Sequence, residues 1–565
     1  MTATRLTRDL DALAGRRFDL VVIGGGIFGA CAAWDAALRG LEVALLERRD
    51  FGGQTSAHSF KMVHGGIRYI QHGDLVRVRE SCRERSALLR IAPHLVQPLP
   101  ILVPTYGHGR NGKALLMAGT LAYDLLTCDR NRGIADPERR IPWGRPVPRR
   151  EVLAAFPDLP PERLTGGVLF ADGQMYNPPR IVLSVLRAAA ARGAVMANYA
   201  EVVGLRMDGN RVSGVEVEDR LGGGRFPVFA KAVLNAAGPF AEPLLQRWLG
   251  RPLKRPSTYS RDACFVVRRR FAAPWALAVM GRSRDADAML AREARHLFVV
   301  PWREFSLIGV WHRVYRDDPD RVGLTPSELE RYLEEINGAY PGLGLDLADI
   351  RLWHAGLLPF GEEKTGGSEL SYGKRSLLVD HADEHGIHGL VTLIGIRYTM
   401  GRGDAAKAVD LVTRKLGART PRPPTDRLPV FGGRFGRFAE LVRDLERHPR
   451  VPLAPATARA LAHNYGSEAS RILGYAADDP SLAEPLPGST VLGAEIVHGI
   501  REEMACNLAD LAFRRTDLAT GGDPGPALEA CADLAAREWG WDAARRAREL
   551  AGVRAQFPRF ARQTA

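Results

Sequence analysis

Cysteine is scarce in this chain, with six residues among 565, scattered at Cys31, Cys82, Cys128, Cys264, Cys506 and Cys531. No Cys-x-x-Cys pair and no Cys/His cluster occurs. That excludes a disulfide framework and a zinc site, and it fits a reducing, cytoplasmic compartment. Long apolar runs are missing too: no stretch reaches the roughly 18 residues that a membrane-crossing helix needs. The first 17 residues are polar and charged, which predicts no secretory leader. Basic segments interleaved with aromatics are absent. The surplus of 78 Lys and Arg over 65 Asp and Glu, a net charge of +13, is therefore read as compositional bias together with attraction to an anionic substrate or a membrane surface, and not as a nucleic-acid footprint. Internal repeats and long low-complexity tracts are also lacking. What remains is an ordinary globular composition, 45% hydrophobic and 25% charged, with length for two or three domains.

Against that background one segment stands out. The apolar strand Asp19–Ile23 runs into Gly24-x-Gly26-x-x-Gly29, a helix-compatible stretch Ala30–Leu38 follows, and after Gly40 a second strand Glu42–Leu46 ends on Glu47. This is a complete βαβ unit. Gly24 permits the tight turn, Gly26 lets the backbone approach a pyrophosphate, and Gly29 lets helix and strand pack closely. The helix N-terminus offers N–H groups and a positive dipole end to phosphates. Glu47 stands where an acid accepts hydrogen bonds from a ribose diol.

The chain up to about residue 415 reads as interleaved strands and helices. A helix is expected over Arg180–Arg192, a strand pair over Glu201–Met207 and Arg211–Val217, a short buried strand over Ala232–Asn235, and a hairpin from Phe298–Pro301 and Ser306–Val310. A proline-rich, basic connector starts at Gly417. Beyond it the pattern is helical: Phe435–Glu446, Ala456–Tyr465, Ser467–Gly474, Ala494–Leu511, Pro526–Glu538 and Asp542–Phe557. The expected domains are an oxidoreductase module, 1–425, and a helical domain, 426–565.

Between Thr55 and Tyr69 hydroxyls, a lysine, two glycines, histidines and an arginine crowd into fifteen residues, a loop able to wrap a diphosphate and press on a planar ring. Together, Gly24-x-Gly26-x-x-Gly29, Glu47, Thr55-Ser56, Lys61 and His64-Gly65-Gly66-Ile67-Arg68-Tyr69 resemble the FAD-dependent glycerol-3-phosphate dehydrogenase family. The resemblance continues through Ala92-Pro93-His94-Leu95, Asp172-Gly173-Gln174-Met175, Asn235-Ala236-Ala237-Gly238-Pro239 and Val300-Pro301-Trp302. It resumes at Tyr465-Gly466-Ser467, Arg501-Glu502-Glu503-Met504 and Arg514-Arg515-Thr516-Asp517, so it covers nearly the whole chain.

The resemblance implies an α/β fold: a glutathione-reductase-like, FAD-binding Rossmann domain interleaved with an antiparallel-sheet substrate domain, plus a C-terminal helical domain. It implies FAD held by Gly24, Gly26, Ile27, Phe28, Gly29 and Glu47 at the ADP half, with Val202 touching the adenine through its backbone and Gly238 completing the set. Thr55, Ser56 and Lys61 would lie along the pyrophosphate and flavin, and Arg397, Tyr398 and Thr399 at the pyrimidine end, where helix N–H groups stabilise negative charge. The implied chemistry is hydride transfer from a substrate C–H to the flavin while a base accepts the substrate proton. His64 and Arg68 are the leading catalytic candidates, with Tyr69, Arg397 and His354 beside them and His312 as a further base. Arg68 would anchor an anionic group.

Where the family has an arginine before proline that helps hold the phosphorylated substrate, this chain has Leu358. Family Gly-Gly-Lys reads Gly395-Ile396-Arg397, exchanging a point charge for a planar fork. Family Lys-Gly-x-His reads Arg261-Asp262-Ala263-Cys264, and Gly-Thr-Thr-Asp reads Gly309-Val310-Trp311-His312. Arg261 and Arg375 are the candidate replacements for the lost arginine, and Trp302 and Trp311 are expected to pack the hairpin. Glycerol 3-phosphate leads as substrate. An oxidase or dehydrogenase acting on another hydroxy acid, amine or secondary-metabolite carbon is the alternative, and a non-catalytic flavin-binding subunit the third. Expected partners are a small-molecule substrate, a quinone or other electron acceptor, and a membrane surface touched peripherally on its inner face. A homodimer is compatible with the sequence, and nucleic acid is not expected. The apolar run Lys113–Leu126 reads first as a buried core helix and second as a helix resting in a membrane interface.

Overall fold

The computed structural model describes residues 5–109, 112–253, 257–269, 271–284, 294–359 and 376–560. Among these, the strands form two sheets. In the first, the strand Arg17–Ile23 lies between Arg225–Asn235 and Val43–Leu46, all parallel, with Leu390–Ile394 and Val195–Ala197 extending the parallel set on either side. Such a sheet is buried on both faces, which explains why Leu20, Val21, Val22, Val43, Ala44 and Leu45 are all fully buried. The helix Ile27–Leu38 crosses between the first two strands. It is small-residue-rich and buried almost all round because it is wedged between the helices Pro178–Ala190 and Gly401–Lys415. Ala200–Asp208 and Arg211–Asp219 add an antiparallel pair to Arg225–Asn235. The expected short strand Ala232–Asn235 is thus only the end of a longer one. Its first half is partly exposed, and its alternating pattern hides the continuation.

The second sheet is mostly antiparallel. Its strands run in the order Leu352–Pro359, Tyr259–Arg268, Phe305–Tyr315, Ala294–Trp302, Ala276–Arg284, Val96–Tyr106, Leu164–Met175 and Met62–Val63. The expected hairpin is present and longer than expected, turning at Arg303 with φ 56°. Trp302 is buried, and Trp311 stacks between Phe265 and Tyr332 with centroids 5.5 and 4.4 Å away. Both pack the hairpin, as their apolar surroundings dictate.

The C-terminal helices lie close to the expected spans, with one correction. Ala494–Leu511 is not a single helix: Gly493–Glu502 stops, Met504 takes a φ of 55°, and helical backbone resumes at Leu508. The break turns Glu503 inward onto Arg180 and Arg187, both buried on the helix Pro178–Ala190. Nearby, the Arg515 fork donates to both oxygens of Asp50 at 2.7 and 2.8 Å, and Arg514 and Asn198 donate to the same carboxylate. Burial alone would raise the Asp50 pKa; the two guanidiniums overcome it and hold the carboxyl far below its ordinary range. Buried ion pairs of this kind fix geometry more than they add stability.

The reading of Lys113–Leu126 as a core helix also falls. Its buried side chains are Thr120, Tyr123 and Asp124, whereas Leu115, Leu121 and Leu125 are 51%, 47% and 60% exposed. The polar face turns inward because Asp124 pairs with Arg130 and accepts from Gly144 N–H at 2.7 Å.

Candidate functional site

A single cavity of ≈1130 Å³ runs from the first sheet's C-terminal edge onto the face of the second sheet. At its first end, Gly24 and Gly29 meet so closely that a Cβ on Gly29 would lie 1.9 Å from the Gly24 carbonyl oxygen. Gly29 does its packing work behind the cavity wall, while Gly24, Gly26, Ile27, Phe28 and Glu47 line it. At the helix N-terminus Gly26 offers no side chain, and Ser56 Oγ accepts from Ile27 N–H at 3.0 Å. A Cβ on Gly26 would approach that hydroxyl to 3.1 Å and narrow the groove. Glu47 accepts from Gly25 N–H at 2.7 Å and Arg49 N–H at 2.9 Å. Burial raises its pKa, and the two amides offset this only in part. Val202 and Gly238 line the same end, where Arg48 stacks over Phe240 at 3.9 Å. Open amides, a glycine-narrowed groove, a hydroxyl and an acid at the next strand's end fit a dinucleotide's pyrophosphate and ribose.

Toward the second end, Thr55, Ser56, Arg397, Tyr398 and Thr399 line the wall. The His64 N–H donates to Thr399 Oγ1 at 3.2 Å, which ties the two segments together. His64 Nδ1 lies 3.2 Å from Asp172 Oδ2, and the other Asp172 oxygen accepts from Gly65 N–H and Arg85, both at 2.6 Å. Burial would raise the Asp172 pKa; the His64 hydrogen bond and the Arg85 guanidinium reverse this and hold it low. Asp172 therefore stays ionised and orients the imidazole, whose side chain is half exposed to the cavity. Gly65 cannot carry a side chain here: its Cβ would fall 2.1 Å from Tyr123 Oη and 2.2 Å from an Arg85 nitrogen.

The 3-10 turn Ile67–His72 presents Arg68 and Tyr69 to the same space. Tyr69 lies between two guanidiniums, Arg77 at 4.6 Å and Arg397 at 5.2 Å from its ring. Arg397 also donates to Tyr69 Oη at 3.1 Å and Ser81 Oγ at 2.8 Å. Arg68, Arg77 and Arg397 line this wall with two carboxylates: Asp172, which faces His64, and Asp74, which pairs with Arg77 at 2.5 Å. The wall is a cationic one, suited to an anion.

Two expected residues are elsewhere. Lys61 does not line the cavity. Its ammonium turns under the loop and donates to the carbonyls of Ala57 at 2.8 Å and Ser59 at 3.0 Å, and burial lowers its pKa to about 7. His354 is not on the wall either; it lies behind His58, with their Nδ1 atoms 3.3 Å apart. Burial holds His354 well below its ordinary pKa and lowers His58 to about 4, so both are neutral near pH 7. Arg261 pairs with Glu328 and donates to the Gly323 carbonyl, so it supplies no cation to the cavity; Arg375 lies outside the described residues. Sequence reading missed Arg77 and His58 as wall residues. The Asp74-x-x-Arg77 spacing, with Asp74 capping the helix Leu75–Ile91, was the available signal for the first. For the second there was none.

The sequence of residues 19–396 matches the family model described as FAD dependent oxidoreductase, and residues 423–546 match the C-terminal domain of alpha-glycerophosphate oxidase. A glycerol-3-phosphate dehydrogenase from Synechocystis is 32% identical over 530 residues, covering 91% of each chain. Glycerol-3-phosphate dehydrogenase 2 of Mycobacterium bovis is 33% identical over 560 residues, 96% of this chain and 88% of that one. Among solved structures, the glycerol-3-phosphate dehydrogenase from Bacillus halodurans complexed with FAD superposes with a TM-score of 0.73 at 24% identity, over 97% of this chain and 95% of that one; this likeness speaks for the fold.

Proposed function

Because the chain belongs to the FAD-dependent glycerol-3-phosphate dehydrogenase family, and is accordingly a flavoenzyme, we propose that it oxidises a small anionic alcohol, with glycerol 3-phosphate as the leading substrate. Bound FAD supplies the two-electron acceptor for the hydride. Arg68, Arg77 and Arg397 hold the substrate's anionic group, and Tyr69 adds a hydrogen bond. His64, kept in one tautomer by ionised Asp172, accepts the proton of the hydroxyl being oxidised. Glu47, Gly26, Ser56 and the amides opening the helix Ile27–Leu38 hold the dinucleotide. Residues 1–425 act as one module and 426–565 as a helical domain docked on it through Asp50.

The observation that supports this reading is the continuity of the cavity, which joins the dinucleotide groove to a cationic wall and a carboxylate-held imidazole. The matching relatives are named as dehydrogenases over nearly their full length, so the reading as a non-catalytic subunit is set aside. The test is steady-state turnover of glycerol 3-phosphate with an artificial electron acceptor, alongside lactate, glycine and proline as competing substrates. Turnover confined to one of the competitors would move the assignment to the alternative.

We further propose that the electrons leave to a quinone at a membrane surface on the cytoplasmic side. Among the described residues no helix is long and apolar enough to cross a membrane. Yet the helix Lys113–Leu126 turns Leu115, Leu121 and Leu125 outward, while Leu116 and Thr120 line the cavity. An exposed apolar face at a cavity rim supports interfacial contact. Vesicle co-sedimentation of the wild type against a triple serine variant of those leucines tests it; equal pelleting would dismiss it.

A further inference from the structure

His64 and Arg397 come from segments far apart in the chain, and one bond, from His64 N–H to Thr399 Oγ1, joins their main chains. Their side chains are both held from a third element, the helix Leu75–Ile91. Arg77, Ser81 and Arg85 follow one another at four-residue intervals on this helix, so they form one stripe along it. Asp74 caps its start, accepting from Arg77 N–H at 2.9 Å. One turn on, buried Ser81 accepts from Arg397 at 2.8 Å. One turn further, fully buried Arg85 donates to Asp172 Oδ1 at 2.6 Å and to the Ala171 carbonyl at 3.3 Å. Asp172 stands on the face of the second sheet that forms the cavity floor, and its other oxygen holds His64 Nδ1 at 3.2 Å.

The neighbouring glycines make these approaches possible. A Cβ on Gly66 would lie 3.0 Å from Ser81 Cβ, and one on Gly403 would lie 2.6 Å from Glu84 Oε1. Glu84, beside Arg85, accepts from Arg402 Nε at 2.9 Å on the helix Gly401–Lys415. The stripe is therefore fastened to the first turn of the helix that follows Arg397. Ser81 and Arg85 stand about 6 Å apart along a rigid axis. Arg85 has little freedom to leave Asp172, because separating them would strand two charges in the interior. Neither Ser81 nor Arg85 lines the cavity.

We propose that this stripe sets the spacing between the proton acceptor and the anion site. Arg85 is the positioning residue for His64, acting through Asp172, and Ser81 is the positioning residue for Arg397. This rests on the reading of His64 as the base and Arg397 as an anion-holding group. The two roles fall on different kinetic parameters. Arg397 holds a group that is anionic before and during the reaction, so loosening it raises KM; proton transfer to His64 belongs to the transition state, so displacing the imidazole lowers kcat. The Arg85 charge also opposes proton uptake by the His64–Asp172 pair. The other titratable or charged groups around the pair are Cys82 on the same helix, Tyr123 on the helix Lys113–Leu126, and Arg68, Tyr69 and Arg397 along the wall.

Steady-state kinetics of the holoenzyme with sn-glycerol 3-phosphate and an artificial electron acceptor, measured across pH, test the assignment. In Ser81→Ala, KM rises about three- to tenfold, the share of one hydrogen bond to a charged group, while kcat and the acid limb of kcat/KM keep their wild-type values. In Arg85→Gln, kcat falls about 10- to 100-fold and KM changes by less than about twofold. There the acid limb of kcat/KM moves to higher pH by about one unit, because the pair takes up a proton more readily without the guanidinium. Arg85→Lys keeps the charge but loses the planar fork, so kcat falls less and the acid limb stays in place. Flavin content is unchanged in Ser81→Ala and Arg85→Lys, which keeps the test decisive should Arg85→Gln fail to fold. Losses shared in equal proportion between KM and kcat in Ser81→Ala and Arg85→Lys would reduce the helix to a packing element and overturn the assignment. So would an unmoved acid limb in a folded, yellow Arg85→Gln. Wild-type protein inert toward glycerol 3-phosphate would instead overturn the proposed reaction, and this assignment with it.

Discussion

The dinucleotide groove and the floor of the second sheet belong to one cavity but are built by different means. The groove is made by main chain. Its donors are amides at the start of the helix Ile27–Leu38, its width is set by glycines that lack a Cβ, and its acid follows the next strand by one residue. The floor is made by side chains from strands far apart in the chain, so that Asp172, Asp262 and His312 share a surface only through sheet register. Main-chain sites tolerate little substitution at few positions. Side-chain floors can be rewritten residue by residue without disturbing the backbone, and Leu358, Cys264 and His312 show the kind of position where this happens.

The contrast predicts where damage concentrates. Asp50→Ala would leave Arg514 and Arg515 buried beside an empty position, and we expect about 3–5 kcal/mol of lost stability, read by denaturant unfolding of the holoprotein, together with weaker FAD retention because the loop after Glu47 loses its clamp. Gly29→Val comes next. Its Cβ would drive into the Gly24 carbonyl, costing about 1–3 kcal/mol or more and giving protein that is purified without flavin colour. On the other side of the comparison, Arg68→Ala should keep its colour and stability and lose about 10- to 100-fold in kcat/KM, the cost of one charge-assisted hydrogen bond. A colourless Arg68→Ala, or a yellow Gly29→Val, would erase the distinction between the two regions.

The smallest effect concerns pH. Lys61, held at about 7 by burial, binds fewer protons in the folded than in the unfolded protein between pH 7 and the ordinary lysine value of about 10.4. Folding stability therefore rises with pH across that window. The difference in unfolding free energy between wild type and Lys61→Met should grow from pH 7 upward, and a pH-independent difference would show that the ammonium is not the titrating group. Because Lys61 lies off the cavity, kcat/KM should show no limb at that pH from this residue.

The groove was legible in the sequence because its signal is local: strand, glycines, helix and acid fall within thirty residues. The His64–Tyr69 element was legible for the same reason. Lys61 misled because a lysine among hydroxyls and glycines resembles a phosphate loop; the ammonium instead satisfied two carbonyls of its own turn. His354, expected beside His64 and Arg68, stands on the strand Leu352–Pro359 next to the cavity, but His58 from a loop 296 residues away covers it. The broken helix at Met504 was hidden because both halves carry helical spacing, and only the buried arginines Arg180 and Arg187 explain the turn. What escaped, in each case, depended on which distant residue arrived to complete a polar group.

Anaerobic addition of sn-glycerol 3-phosphate to the purified yellow protein, followed by flavin absorbance, tests the account at its centre. Rapid bleaching is expected in the wild type and slowed bleaching in Arg68→Ala. A spectrum left unchanged by glycerol 3-phosphate, in protein that dithionite still reduces, would contradict it.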